Sequence, residues 1–389
     1  MPESQKPYND NSFHGYVSFL FAFIGVALLI VVRIALFYQD WGDFSYFLLP
    51  WIERYREMTF FEGLGTRVGN YNPPYMYLLN IIARTGFSEL ISVKVLSVIF
   101  DFIIAFFVMK IVSLKTESLN KRILAFILAL AIPTVIINSS MWAQCDAIYS
   151  AFAIGSVYFG LSRRSKLAYI FMGLAFSFKM QAVFLMPMLV VFIFMKRIRF
   201  SDCYMFFAVY IATLLPALIA GMPVNVVFST YINQAGTYSE LSLNIANIWQ
   251  FVRGVPYENF MVIGLCIAAL AVLGLLYFTW VNRERLVNNV DFVRLAYLFA
   301  VIMPFLLPKM HDRYYFLADV LSILVFLFDK RRWYVPLVSI FCSYLAYAWF
   351  MMGRFEILDF KIGAIAMLVI ILVVLRDYVM ALYKEKLPQ

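Results

Sequence analysis

From Tyr16 to Leu375 the chain is a succession of apolar runs, many about as long as a bilayer core is thick, separated by short basic clusters. No other feature limits the fold so strongly. A spanning helix needs about 20 apolar residues, because 1.5 Å of rise per residue must cover roughly 30 Å of hydrocarbon. The composition agrees: 63% of the residues are hydrophobic and 14% charged, whereas soluble domains average about 25% charged. The expected class is an all-α polytopic membrane protein. It is read as one integral domain, residues 16–376, between cytoplasmic tails 1–15 and 377–389. The first tail lacks a basic n-region and a small-residue cleavage site, so no signal peptide is read there.

The net charge of +9 lies in loop clusters, as a topology signal would, and implies no nucleic-acid partner. Cys145, Cys203, Cys266 and Cys342 are scattered without a CxxC. Neither a disulfide framework nor a cysteine-ligated metal is expected.

Spans are predicted over 16–37, 91–112, 204–221, 258–281, 292–308, 314–328, 333–350 and 360–376. Two further regions are interrupted: Ile123–Leu161 by "NSSMWAQCDA" and Leu167–Met195 by "FKMQ". Reading both as hairpins puts Lys121, Arg122, Arg163, Arg164, Lys166, Lys196, Arg197, Arg199, Arg283, Arg285, Lys330, Arg331 and Arg332 on one side. The positive-inside rule then favours about twelve spans with both termini cytoplasmic. The first outer loop, 38–90, is too long for a mere connector. Within it, "WIERYREM" sets Trp51, Ile52, Tyr55 and Met58 against Glu53, Arg54, Arg56 and Glu57, the pattern of an interfacial amphipathic helix. A later outer loop covers 222–257.

This topology brings ionisable groups from four loops to one side: Asp40 and Asp43, Gln144 and Asp146, Lys179 and Gln181, and Lys309, His311, Asp312 and Arg313. Each has a bland reading. Asp43 and Asp146 could cap the helices that follow them, Lys179 could snorkel, and Arg313 could anchor to headgroups. Jointly they suit displacement of a phosphate from a sugar at a membrane surface. Asp43 would take the acceptor's proton, with Asp40 and Asp146 as candidate assistants. Lys179, Lys309, His311 and Arg313 would meet the lipid phosphate of the donor. Gln144, Gln181, Tyr231, Gln234 and Tyr238 are candidates for sugar or acceptor binding. No metal and no cofactor is expected beyond the lipid-linked donor itself.

Four segments, in order, resemble the GT-C glycosyltransferases, in particular those using dolichyl-phosphate glucose. "WGDFSYFLLPWIERY" is similar to their first-loop GD(F/Y) segment, whose aspartate, here Asp43, is the base. "NYNPPYMYLL" is similar to the stretch closing that loop. "MWAQCDAIY" resembles their Trp-Gly-Gln-x-Asp segment, with Ala143 in place of glycine. "KMHDRYYF" resembles a late His-Glu-Lys/Arg motif that meets the donor phosphate, with Asp312 in place of glutamate. The resemblance covers roughly residues 37 to 320. It implies about twelve spans, two interfacial helices in the first loop, inversion at the anomeric carbon, and a polyprenyl-phosphate-hexose donor. The acceptor would be a glycan or a lipid-linked molecule, and the setting a prokaryotic plasma membrane with the site on its outer face.

Two other classes share parts of this pattern. A transporter or flippase would show repeats and broken helices at matching places in two halves, and none is evident. A polysaccharide polymerase or ligase would carry an arginine-rich late outer loop, whereas 222–257 holds Arg253 alone.

Overall fold

The computed structural model describes residues 10–236, 239–252 and 254–384; the candidate Tyr238 lies outside them. The chain opens with α1 (Asp10–Leu36). Three short helices follow in the first loop: α2 (Leu49–Arg56), α3 (Phe60–Gly65) and α4 (Pro73–Ile82). Next come α5 (Glu89–Ser113), α6 (Leu119–Leu130), α7 (Pro133–Ile136), α8 (Asp146–Leu161), α9 (Ser165–Phe178), α10 (Pro187–Phe194) and α11 (Tyr204–Ile219). The rest is α12 (Val224–Gly236), α13 (Tyr257–Val281), α14 (Asn289–Leu306), α15 (Phe316–Phe328), α16 (Tyr334–Met351) and α17 (Phe360–Lys384). Proline marks several starts. Pro50, Pro73, Pro133 and Pro187 lie in the first turns of α2, α4, α7 and α10, where a missing N–H costs nothing.

Among the described residues, seven helices are long and apolar enough to cross a membrane: Ser18–Leu36, Glu89–Ser113, Phe200–Ile219, Tyr257–Val281, Asn289–Leu306, Lys330–Met351 and Phe360–Tyr383. An eighth exists if α6 and Pro133–Met141, bent by 53°, count as one span. Four apolar helices, Asp146–Leu161, Ser165–Phe178, Met180–Phe194 and Phe316–Phe328, are shorter. By length, then, seven or eight of the roughly twelve expected spans qualify. The bend follows from Pro133, which forces Ile132 into an extended conformation (φ −60°, ψ 120°) and ends α6.

One expectation needs correction. Where two helices are implied for residues 38–90, three are present. In α2 the predicted face is realised: Ile52 and Tyr55 are buried, and Glu53, Arg54, Arg56 and Glu57 are exposed. At the other end, α17 runs on through residues 377–384. Asp377 pairs with Arg332, and the buried Tyr378 hydroxyl meets Thr279 at 2.9 Å.

α14 is enclosed, with 78% of its apolar window buried, whereas only 6% of Ser18–Leu36 is. The centre therefore lies at α14, α15 and α8, with α1 at the lipid-facing rim. α8 and α9 form a hairpin, and α9 packs on α11. At Gly173 of α9 an added Cβ would stand 2.8 Å from the Phe206 carbonyl oxygen, so only glycine permits that approach.

A buried ion pair anchors α1 against the bundle. Arg33 reaches Asp101 of α5 at 3.3 Å and the Leu130 carbonyl at 2.8 Å, while Ser139 donates to Asp101 at 2.6 Å. Charges at such depth are costly unless paired. This one ties α1, α5 and the turn Ile137–Met141 together, just before the segment that builds the candidate site.

Candidate active site

The loop after α1 is shaped by a charge that the sequence reading did not single out. Lys94 of α5, fully buried, donates to the carbonyls of Leu36 (3.1 Å), Phe37 (3.0 Å) and Gln39 (2.5 Å). An ammonium at a helix C-terminus satisfies orphan carbonyls and suits the dipole. The chain then turns at Gly42 (φ 93°), a conformation that glycine adopts freely. Asp40 serves that turn, accepting from the Gly42 N–H at 2.9 Å and from the Ser45 hydroxyl. It therefore acts locally and does not line the cavity described below. Asp43 makes no side-chain cap to the helical turn Phe44–Leu48. Its carboxylate faces elsewhere: Oδ2 accepts from Gln144 Nε2 at 2.8 Å and from Arg313 at 3.2 Å. Among the described residues Oδ1 takes no hydrogen bond.

Gln144 and Asp146 are delivered by the irregular stretch between the bent pair and α8. Trp142 closes the turn, and Ala143 is left-handed (φ 58°). A non-glycine residue there costs about 1–2 kcal/mol, so the site stores strain at Ala143. Asp146 opens α8 and is buried. Lys179 pairs with its Oδ1, while Asn138 donates to Oδ2 at 3.0 Å and to the Tyr347 hydroxyl at 3.1 Å. Lys179 itself sits where α9 breaks into a 3-10 turn, between the rings of Tyr149 and Tyr314 at 5.9 Å from each centroid.

The last contribution comes from the loop between α14 and α15. Its strand β2 (Met310–His311) pairs in parallel with β1 (Ser242–Leu243), matching Leu243 with His311. The short ladder fixes the register of Asp312 and Arg313. Arg313 lies 4.9 Å over the Trp142 ring, and Trp142 stacks on Phe350 of α16 at 4.4 Å. The guanidinium is the hub of the site: Asp43 at 3.2 Å, Asp312 at 3.6 Å and Asp146 at 3.8 Å surround it.

These groups border a cavity of about 230 Å³ lined by Asp43, Trp51, Tyr71, Gln144, His311 and Arg313 among others. That is small beside the roughly 300–1,000 Å³ of drug-sized sites. It is of a size for a small group rather than a long chain. Burial, with Arg313 next in effect, pushes the His311 imidazole down to about 3, so the ring is neutral at neutral pH. Burial lifts the Asp312 carboxyl to about 6 against the pull of Arg313. Arg313 Nε, Trp142 Nε1 and Asp312 Oδ1 are buried and have no hydrogen-bond partner among the described residues. Buried polar atoms are rarely left so, and here three cluster at one cavity.

The sequence candidates thus divide. Asp43, Gln144, His311 and Arg313 line the cavity, with Asp146 and Lys179 one contact behind. Gln181 is buried in the turn after Lys179 and does not line it. Lys309 lies 4.8 Å over the Tyr257 ring. Tyr231 donates to the Phe176 carbonyl and Gln234 to the Asn70 carbonyl at 2.5 Å, so both fasten α12 to the body instead of facing the cavity. Tyr71, Tyr75, Trp51, Phe47 and Phe350 form walls that no residue assignment had named. The "NYNPPY" stretch held a signal for two of them. Asn72 ties it to the Ser177 carbonyl at 2.7 Å, bringing Tyr71 and Tyr75 together at 4.8 Å.

Compared with known proteins, the chain matches no family model, and no curated protein aligns with it significantly.

Proposed function

We propose that the chain is an inverting glycosyltransferase that moves a hexose from a polyprenyl-phosphate donor to a glycan or lipid-linked acceptor, with Asp43 as general base. The observation that carries this reading is the fixed carboxylate of Asp43, whose Oδ2 is held by Gln144 and Arg313 at a small polar cavity. An acceptor hydroxyl gives its proton to Asp43 as its oxygen attacks the anomeric carbon. The carbon–oxygen bond to phosphate breaks, and polyprenyl phosphate leaves with the electron pair. Arg313, whose guanidinium lines the cavity beside Asp43, is the group best suited to that developing charge. Neutral His311 would offer a hydrogen bond rather than a charge.

A single base is what inversion requires. A retaining route wants a second carboxyl about 5–5.5 Å away across the bond. Asp40 is engaged in its own turn, and Asp146 by Lys179 and Asn138. The donor's lipid would stay in the bilayer while its headgroup enters. Among the described residues, the longer helices, with the bent pair as one, and the four shorter apolar ones together make up the twelve spans of this reading. The setting we infer is a prokaryotic plasma membrane, with the site on the non-cytoplasmic face and both termini inside.

The test is transfer by purified protein in lipid, supplied with a panel of polyprenyl-phosphate hexoses and candidate acceptors. Transfer from one donor, with the anomeric configuration reversed in the product, supports the reading. Donor movement across vesicles without transfer would favour the transporter class instead.

A further inference from the structure

At the far end of α8 from Asp146 lies a second constellation that the proposed reaction does not use. α8 has 16 residues and so carries the chain about 24 Å from the candidate site. The turns that end α8 and α10 both close through left-handed residues, Arg163 (φ 57°) and Lys196 (φ 51°). Backbone bonds lock them: the Arg164 N–H donates to Phe159 at 2.9 Å and the Arg197 N–H to Phe192 at 2.8 Å. Side by side, the two turns form an open groove of about 390 Å³ lined by Arg163, Arg164, Lys166, Lys196, Arg197 and Arg199, with Asp202 as its one carboxylate.

Asp202 is taken by Arg199, at 3.1 and 3.3 Å. Arg197 is held on the Leu161 carbonyl at 3.0 Å and over the Phe292 ring at 4.2 Å. Arg163, Arg164 and Lys196 have no carboxylate partner among the described residues, and Lys166 attracts Asp202 without an ion-pair contact. Positive charge at one membrane surface is ordinary, but ordinary topology does not require it to converge on one groove between two hydrogen-bonded turns. Beside Arg199 the candidate span Phe200–Ile219 begins, and Phe200, Tyr204, Phe207 and Ile211 are all exposed along it at helical spacing. A ligand in the groove would therefore meet cations at one end and a lipid-facing apolar ridge at the other.

We infer that this groove binds an anionic phospholipid, its phosphate among Arg163, Arg164, Lys166 and Lys196 and an acyl chain along the Phe200–Ile211 ridge. Basic pockets at helix ends recognise such headgroups, and each juxtamembrane cation adds to the attraction. The inference does not depend on the proposed transferase activity.

The test is native mass spectrometry of the full chain in detergent, titrated with phosphatidylglycerol or phosphatidylcholine. The wild type should hold one phosphatidylglycerol in preference to phosphatidylcholine. Arg163→Gln/Arg164→Gln/Lys166→Gln should weaken that adduct on the order of tenfold or more. A control removing as many cations at the same end, Lys121→Gln/Arg283→Gln/Arg285→Gln, should keep it. Arg163→Lys/Arg164→Lys, which keeps the charge, should also bind and shows that the turns still fold. Equal binding of both lipids, undiminished binding by the glutamine triple variant, or equal loss in the control would overturn the inference. So would complete displacement by inorganic phosphate at equal concentration, which would assign the groove to a soluble anion.

Discussion

Gln144 Nε2 donates to Asp43 Oδ2 across 2.8 Å, joining the loop after α1 to the stretch before α8. The bond fixes one oxygen of the carboxylate and leaves the other open. A hydrogen bond to a charged group is worth about 1.5–3 kcal/mol. If the base is aimed by this contact, Gln144→Ala lowers turnover on the order of 10- to 100-fold, with donor KM little changed. Steady-state kinetics on the donor check this; an unchanged kcat would remove Gln144 from the positioning of the base.

Ala143 occupies a left-handed conformation while buried beside the cavity. Ala143→Gly should be tolerated, its stability within about 1 kcal/mol of wild type, because relief of strain offsets the extra chain entropy. Ala143→Val should lose far more, since β-branched residues are genuine outliers at positive φ. Thermal unfolding of the two variants in detergent compares them directly, and equal melting temperatures would contradict the strained turn.

Lys179 and Asp146 form a buried pair. Removing one partner strands the other's charge, typically at about 3–5 kcal/mol, whereas removing both can be nearly neutral. Lys179→Met should therefore destabilise more than Lys179→Met combined with Asp146→Asn. A double-mutant cycle reads the coupling, and additive losses would show that the two charges do not compensate each other.

His311 and Asp312 act in opposite senses on acidification. The imidazole, held from 6.5 down to about 3 by burial and then Arg313, takes a proton less readily folded than unfolded. Its contribution is full above about 6.5 and is lost as pH falls toward 3. The Asp312 carboxyl, lifted from 3.8 to about 6 by burial, takes a proton more readily when folded. That contribution is full below about 3.8 and is lost as pH rises through 6. Between about pH 7 and 4 these amount to about 3 kcal/mol for His311 and about 2 kcal/mol for Asp312, with opposite sign. Asp312→Asn should then melt lower as pH falls relative to wild type, and His311→Gln should melt higher. Parallel melting curves for all three proteins across that range would refute the assignment.

The long helices were legible because lipid imposes a length: α5 spans Glu89–Ser113 where apolarity marks 91–112, and α13 spans Tyr257–Val281 where it marks 258–281. The short ones were harder, because α8 and α9 are shielded by neighbours and need not match the bilayer alone. Within the site, spacing could not tell Asp40 from Asp43. Their fates are decided by Gly42, which bends the chain so that one carboxylate serves the turn and the other meets Gln144. Tyr231 and Gln234 misled for a related reason, since polar side chains in a loop are as readily used to fasten it as to bind a ligand. Phe350 and Trp51 gave no polar signal at all; only the packed structure brings them to the cavity. Lys94 lay inside a predicted span, where a buried cation reading three carbonyls leaves no sequence pattern.

The central claim is that Asp43 is the base, and Asp43→Asn tests it most directly. The isosteric amide keeps the shape of the site but cannot accept the acceptor's proton. With the donor identified from the panel, the variant should still bind that donor while transfer falls about 10²–10⁴-fold. A variant that binds donor and transfers at the wild-type rate would contradict the account.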